Sequence, residues 1–296
     1  MSQGPSDLRA DTELTVDSDV SGRFHVDIPE AWKVVYVFGG VSMYAALRAM
    51  RRALGRTDLR LVTANAIFLA PVPPGPVTID VQVLRDGRTA SQVAADLCVG
   101  GKLALRVHGV FGVAHDLEHG FLDVRFPEVP HPQDVDPPPP AEDRMPFGHI
   151  NFHDQTDWRP VSGVWFGNGD WRPGPARCQI WTRLLEEPAL PDGSYDPLAL
   201  AIHGDVIGPA VGAGLGPIDV PFMVLSLEIG IRFVATPVTP WVLQEIEAWH
   251  VGDGYATGPA RLWDEAGNLC AIATQTANLR MFPGDEPRTG VTASAQ

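Results

Sequence analysis

The chain is short of the features that tie a protein to an oxidising compartment, a bilayer or a polyanion. Cysteine occurs only three times in 296 residues, at Cys98, Cys178 and Cys270, widely separated and odd in number. That usage speaks against a disulfide framework or a zinc site and predicts reduced cysteines. No uncharged run approaches the roughly 20 strongly apolar residues of a membrane span. Met1 to Asp19 is polar and acidic, without the apolar stretch of an export signal. The expectation is a soluble, cytoplasmic protein with no membrane partner. Positive charge is also scarce: 22 Lys and Arg stand against 36 Asp and Glu, and most of the excess lies beyond residue 120. A formal net charge of −14 argues against nucleic acid as a partner.

Several catalytic signatures are missing as well. There is no P-loop, no GxGxxG leading into a helix and no GxSxG elbow, so nucleotide cradles and the common serine-hydrolase arrangement are set aside. The pairs His115/His119 and His149/His153 have the i, i+4 spacing of metal ligands, the second beside Asp154 and Asp157. Neither has a convincing third ligand, and no metal is expected.

What is present is a patterned chain, 45% hydrophobic, with enough apolar residues for one large domain or two of ordinary size. Residues 1–21 read as a loose polar tail and Gly22–Ile28 as the first ordered piece. Trp32–Leu54 is helical in pattern, with Gly55 placed as its C-cap. Strands follow. Leu59–Leu69 precedes the turn APVPPGP, and Val77, Ile79, Val81 and Val83 alternate with polar residues up to the Asp86-Gly87 hairpin signal. Thr89–Val99 and Lys102–Val113 complete a meander. A proline-rich, acidic stretch, residues 126–145, reads as a linker. Beyond it a second helix and strands at Met223–Val234, Trp241–Val251, Tyr255–Trp263 and Asn268–Met281 repeat the pattern.

The repetition keeps a nearly constant spacing. Gly39 matches Gly204, Pro71 matches Pro237, Asp86-Gly87 matches Asp253-Gly254, and Gly101 matches Gly267. This is an internal duplication. Within it Gly40 falls where Asp205 falls, so the halves are alike in scaffold and unlike in chemistry.

Asp205 sits in DPLALAIHGDVIGPAVGAGLGP (residues 196–217), among Ala, Ile, Leu, Val and Gly. Carboxylates are rarely buried unless hydrogen-bonded or paired. Asp196-Pro197 reads as the helix start, and Pro209 as the residue that ends or kinks the helix just past Asp205. A turn or capping aspartate and a functional one both remain open.

The stretches FGGVSMYAAL, VTIDVQVLRDGRTASQVAADLCVGGKLALRV, SLEIGIRF and LWDEAGNLCAIATQTANLR resemble those of the TesB-like (type II) acyl-CoA thioesterases. The resemblance covers most of residues 22–281 and is weakest over 117–175. It implies an α+β tandem double hotdog, each unit a helix wrapped by an antiparallel β-sheet. The N-terminal hotdog would span 22–125 and the C-terminal one, carrying the site, 146–283. It further implies hydrolysis of acyl-CoA by a water that Asp205, Ser226 and Gln275 orient. Coenzyme A is then part of the substrate, and no separate cofactor is implied. The sequence departs from the family in having Ser226 for the commoner Thr, Glu228 where Asp is frequent, and a Gly-rich segment after Asp205.

The residues themselves leave alternatives. Gln275 lies on the Ala-rich face Leu269, Ala271, Ala273, Gln275, Ala277, Leu279, as a cross-strand amide or as a holder of water. Ser226 lies on the polar side of its strand, opposite the leucines; it can join a site only if that face meets the other half or another subunit. Such cover, and exposed sheet edges, predict a homo-oligomer. Arg48, Arg51, Arg52, Arg56 and Arg60 form either a receiver for coenzyme A phosphates or a solvated helix face. Hydratases and dehydratases share the fold but want a His shortly after the Asp, and VIGPAVGAG has none; a non-catalytic acyl-CoA-binding protein is the third reading.

Overall fold

The period-2 alternation of both halves is realised as one antiparallel sheet running through the whole chain. The computed structural model describes residues 5–115, 119–139, 150–164, 173–216 and 222–281. The first half contributes α1 (Leu8–Asp11), β1 (Thr15–Val16), β2 (Arg23–Ile28), α2 (Gly39–Leu54), β3 (Leu59–Phe68), β4 (Gly75–Asp86), β5 (Ala90–Val99) and β6 (Lys102–Val113). The second contributes β7 (Thr156–Ser162), β8 (Arg177–Leu184), α3 (Leu200–Gly204), α4 (Ile207–Leu215), β9 (Phe222–Phe233), β10 (Val242–Glu247), β11 (His250–Gly252), β12 (Tyr255–Asp264) and β13 (Leu269–Met281).

Strand order is β1-β2-β4-β5-β6-β3-β9-β13-β12-β10-β8-β7, with β11 paired to β12. From the β3–β9 seam outward the same sequence of roles is read in both directions. The seam runs from Thr63↔Arg232 to Ile67↔Glu228. A helix wrapped by an antiparallel sheet, present twice, is the tandem double hotdog that the sequence implied.

Each half buries its helix on the concave face. Every residue of α2 from Gly40 to Met50 is buried, and Gly55 closes the helix in the left-handed region at φ 63°. The helix begins at Gly39 rather than near Trp32, because Val34, Val35 and Val37 are β-branched and disfavour a helical start. In the second half the helix breaks at Asp205, whose backbone (φ −93°, ψ 68°) leaves the helical region. Pro209 therefore does not end the helix; it sits in the first turn of α4, where a missing N–H costs nothing. By length and composition Pro197–Leu215 could cross a membrane, but 67% of it is buried inside this fold.

Three expectations change. The N-terminal segment is not loose: Leu8 and Leu14 are buried, and Arg48 donates to the carbonyls of Arg9 (2.7 Å) and Thr12 (2.6 Å). Each arginine of the basic cluster is tied to an acceptor within the chain. Arg51 holds Asp196, Arg52 the Leu14 carbonyl, Arg56 the carboxylates of Asp58 and Asp86, and Arg60 the carbonyls of Phe233 and Val234. The proline-rich stretch is described only to residue 139, and that part packs on the convex face of the second half. Phe126 meets Trp181 and Trp263 at 6.3 and 5.7 Å, and the Trp181 indole donates to the Pro130 carbonyl. An apolar convex face, unlike the polar one of the first half, needs that cover.

Candidate active site

Asp205 occupies the gap between α3 and α4, 7% exposed, with donors on three sides. Ser226 Oγ donates to Oδ1 (2.7 Å), and Gln275 Nε2 donates to the same oxygen (2.7 Å) and to Ser226 Oγ (2.8 Å). From the first half, the Gly40 N–H donates to Oδ2 at 3.0 Å. Burial pushes the Asp205 carboxyl above its ordinary range, while the bonds from Ser226, Gly40 and Gln275 pull it down without cancelling the rise.

Gln275 has no freedom in this arrangement. Its Oε1 accepts from the Val206 and Ile207 N–H groups (3.0 and 2.9 Å), capping the start of α4, which forces Nε2 towards Asp205. The amide is thus both structural and aimed at the carboxylate.

Ser226 arrives by a route that alternation does not reveal. In the β13–β9 ladder Gln275 faces Ile229 and Thr276 faces Glu228, but Ala277 faces Ser226, so Leu227 is an extra, bulged residue. The bulge reverses the alternation below it and turns Ser226 to the concave face, while Leu227 is 37% exposed. Ser226 therefore joins the site within one chain, and the argument that another subunit must cover it falls away.

The first half carries a matching bulge between Leu61 and Thr63. Reading both ladders from the seam, Gly40, Leu61 and Gly109 stand where Asp205, Ser226 and Gln275 stand. A side chain at Gly109 would begin 2.8 Å from Met50 Cε and 3.3 Å from Leu61 Cδ1. That counterpart is filled with apolar packing.

The residues that the sequence reading missed lie in the first half's helix start. An atom added as Cβ to Gly39 would lie 2.5 Å from Asp205 Oδ2 and 3.0 Å from Phe68 Cε1; one added to Gly40 would lie 2.6 Å from Ile202 Cα. Two adjacent glycines opening a helix are the only sequence trace of this close approach. Of the histidine pairs set aside as metal ligands, His149 lies outside the described residues, and the His153 ring packs 6.2 Å from Phe152 and 5.8 Å from Trp158. Among the described residues no group of three metal-ligating side chains comes together.

Comparison with known proteins bears on the identity. Residues 28–112 match the family model for the acyl-CoA thioesterase N-terminal domain, and residues 131–279 that for the C-terminal domain. Among curated proteins none matches. A solved structure described as a putative thioesterase from Novosphingobium aromaticivorans is 23% identical, with TM-score 0.75, covering 90% of this chain and 98% of that one. An acyl-CoA thioesterase II, TesB2, from Mycobacterium marinum is 19% identical, with TM-score 0.70, covering 94% and 99%. A hot dog protein of unknown function from Alicyclobacillus acidocaldarius is 22% identical, with TM-score 0.76, covering 93% and 98%. At these identities the structures establish the double hotdog fold. The two family models, matched in tandem over most of the sequence, place the chain in the acyl-CoA thioesterase family, as a thioester hydrolase.

Proposed function

We propose that Asp205 is the general base of acyl-CoA hydrolysis and that Ser226 and Gln275 hold it in position. The observation that carries this reading is the uneven use of the carboxylate. Oδ1 accepts two hydrogen bonds, from Ser226 and Gln275, and has no lone pair to spare. Oδ2 accepts one, from Gly40, which leaves it acceptor capacity for a water, and Gly39 lets the backbone come close to this oxygen, since an added Cβ would lie 2.5 Å from it. A water there donates to Oδ2 and attacks the thioester carbonyl carbon, its proton passing to Asp205. The oxyanion needs backbone N–H donors. Gln275 takes those of Val206 and Ile207 at the start of α4; at the start of α2 the Gly40 N–H is on Asp205 and those of Val41 and Ser42 are on the Phe38 carbonyl, which leaves the Gly39 N–H as the candidate donor. The tetrahedral intermediate then expels the coenzyme A thiolate, which takes the proton from Asp205, and free acid remains. No cofactor enters the scheme.

A hydratase needs a second acid–base group at the substrate. The nearest histidine in sequence, His203, has both ring nitrogens engaged by Thr182 and Tyr195 instead. Thiol release from a panel of acyl-CoA esters tests the reading. Free thiol accumulating with turnover supports it; water added to an enoyl-CoA without thiol release, or binding without turnover, overturns it.

A further inference from the structure

We infer that His203, held between Thr182 and Tyr195, is a positioning residue for Asp205; the inference rests on the catalytic role given to Asp205 above. The helix that ends at Asp205 cannot place itself. α3 has five residues and no side-chain N-cap bond, far below the length at which a helix is stable alone. Its position is set by bonds to other elements. At its start the turn Pro197–Ala199 is capped by Asp196, which is fully buried and receives bonds from Arg9, Arg51 and Tyr44. At its end the anchor is His203, 3% exposed.

Both ring nitrogens of His203 are hydrogen-bonded. Its Nδ1 lies 2.8 Å from Thr182 Oγ1 on β8, and its Nε2 lies 3.0 Å from the Tyr195 hydroxyl. Thr182 Oγ1 also reaches the Val242 carbonyl at 3.4 Å, an acceptor only. The arrangement that also uses the Val242 carbonyl sends the threonine proton there, with Nδ1–H donating to the threonine oxygen and the Tyr195 hydroxyl donating to Nε2. The ring must be neutral for this, and burial alone pushes its pKa down to about 4. No charged group bonds the ring; the ionisable neighbours acting on Tyr195 are Asp196, Tyr44, Cys270 and Glu187. The His203 carbonyl is held as well, by Gln244 Nε2 at 3.1 Å. Both ring nitrogens are engaged, one by β8 and one by Tyr195 ahead of α3, so His203 is no second base.

Its effect passes to Asp205 through one residue. Gly204 lies flat on β9 and β13, where an added Cβ would come 2.9 Å from Ile231 Cδ1 and 3.2 Å from Ala273 Cβ. Those are the two strands that carry Ser226 and Gln275. Loosening His203 thus shifts the carboxylate relative to the groups that hold it.

The test is the double variant Thr182→Val with Tyr195→Phe, which keeps the side-chain shapes and removes both ring partners. With parental circular dichroism, kcat should fall about tenfold or more while KM moves less than about twofold, since misplacement of a catalytic group costs the transition state first. The acid limb of the kcat profile should also move to higher pH, because Asp205 loses donors that hold its carboxyl down. If the double variant does not fold, Tyr195→Phe alone should give about a threefold loss with the same direction of pH shift. A folded variant with parental kcat and acid limb, whatever its melting temperature, overturns the inference and leaves the hydrolase reading intact. A parental protein that releases no thiol overturns both.

Discussion

Behind the bulge at Leu227 lie Asp205, Ser226 and Gln275; behind the corresponding bulge at Val62 lie Gly40, Leu61 and Gly109. The backbone device is the same, and the contents are opposite. In the first half Met50 and Leu61 fill the space, which favours stability. In the second a carboxylate is kept where burial opposes its charge, and its donors are what make that tolerable. Duplication has let one copy keep the expensive arrangement while the other packs. The packed copy still takes part, since its Gly40 N–H bonds Oδ2 and its Gly39, lacking a Cβ, lets the backbone come close to that oxygen.

The division of labour can be broken from either side. Making the second half resemble the first with Gln275→Leu should cost about 10²-fold in kcat with little change in KM, measured by thiol release. The same change strips the Val206 and Ile207 N–H groups of their acceptor, so a stability loss of about 1 kcal/mol is expected by denaturant titration. Gly39→Ala, in the half without the carboxylate, should lower kcat about tenfold, because the new methyl would crowd Oδ2 and the water beside it. Parental turnover in Gly39→Ala would place the water elsewhere. Met50→Ala should leave kcat per folded molecule unchanged and cost about 2–5 kcal/mol of stability, as a cavity opens in the filled counterpart. A drop in kcat there would show that the first half's packing matters to the chemistry.

The scaffold was legible because its signals are local. The Gly55 cap and the hairpin glycines follow from residues within a few positions of each other, and the duplication shows because such local signals recur at a constant spacing. Asp205 was legible because a lone carboxylate in an apolar run is conspicuous. The face of Ser226 was not, since counting alternate residues assumes an unbroken ladder and nothing in SLEIGIRF marks Leu227 as extra. The arginines read as a basic surface because their acceptors, Asp196, Leu14 and Phe233 among them, come from remote segments. His203 stood two residues from the carboxylate and went unread for the same reason: Thr182 and Tyr195 meet it only in the fold.

The central claim is that Asp205, ionised despite its burial, is the base. The most direct test is thiol release from one acyl-CoA ester by the parental protein and Asp205→Asn across the acid to neutral range. Because burial raises this carboxyl, the ionised base is lost as pH falls through a value above the ordinary aspartate range. The parental rate should decline along an acid limb placed there. Asp205→Asn, with matching circular dichroism, should be at least about 10²-fold slower at neutral pH and lack that limb. A variant within threefold of the parent, or one that keeps the same limb, would contradict the account.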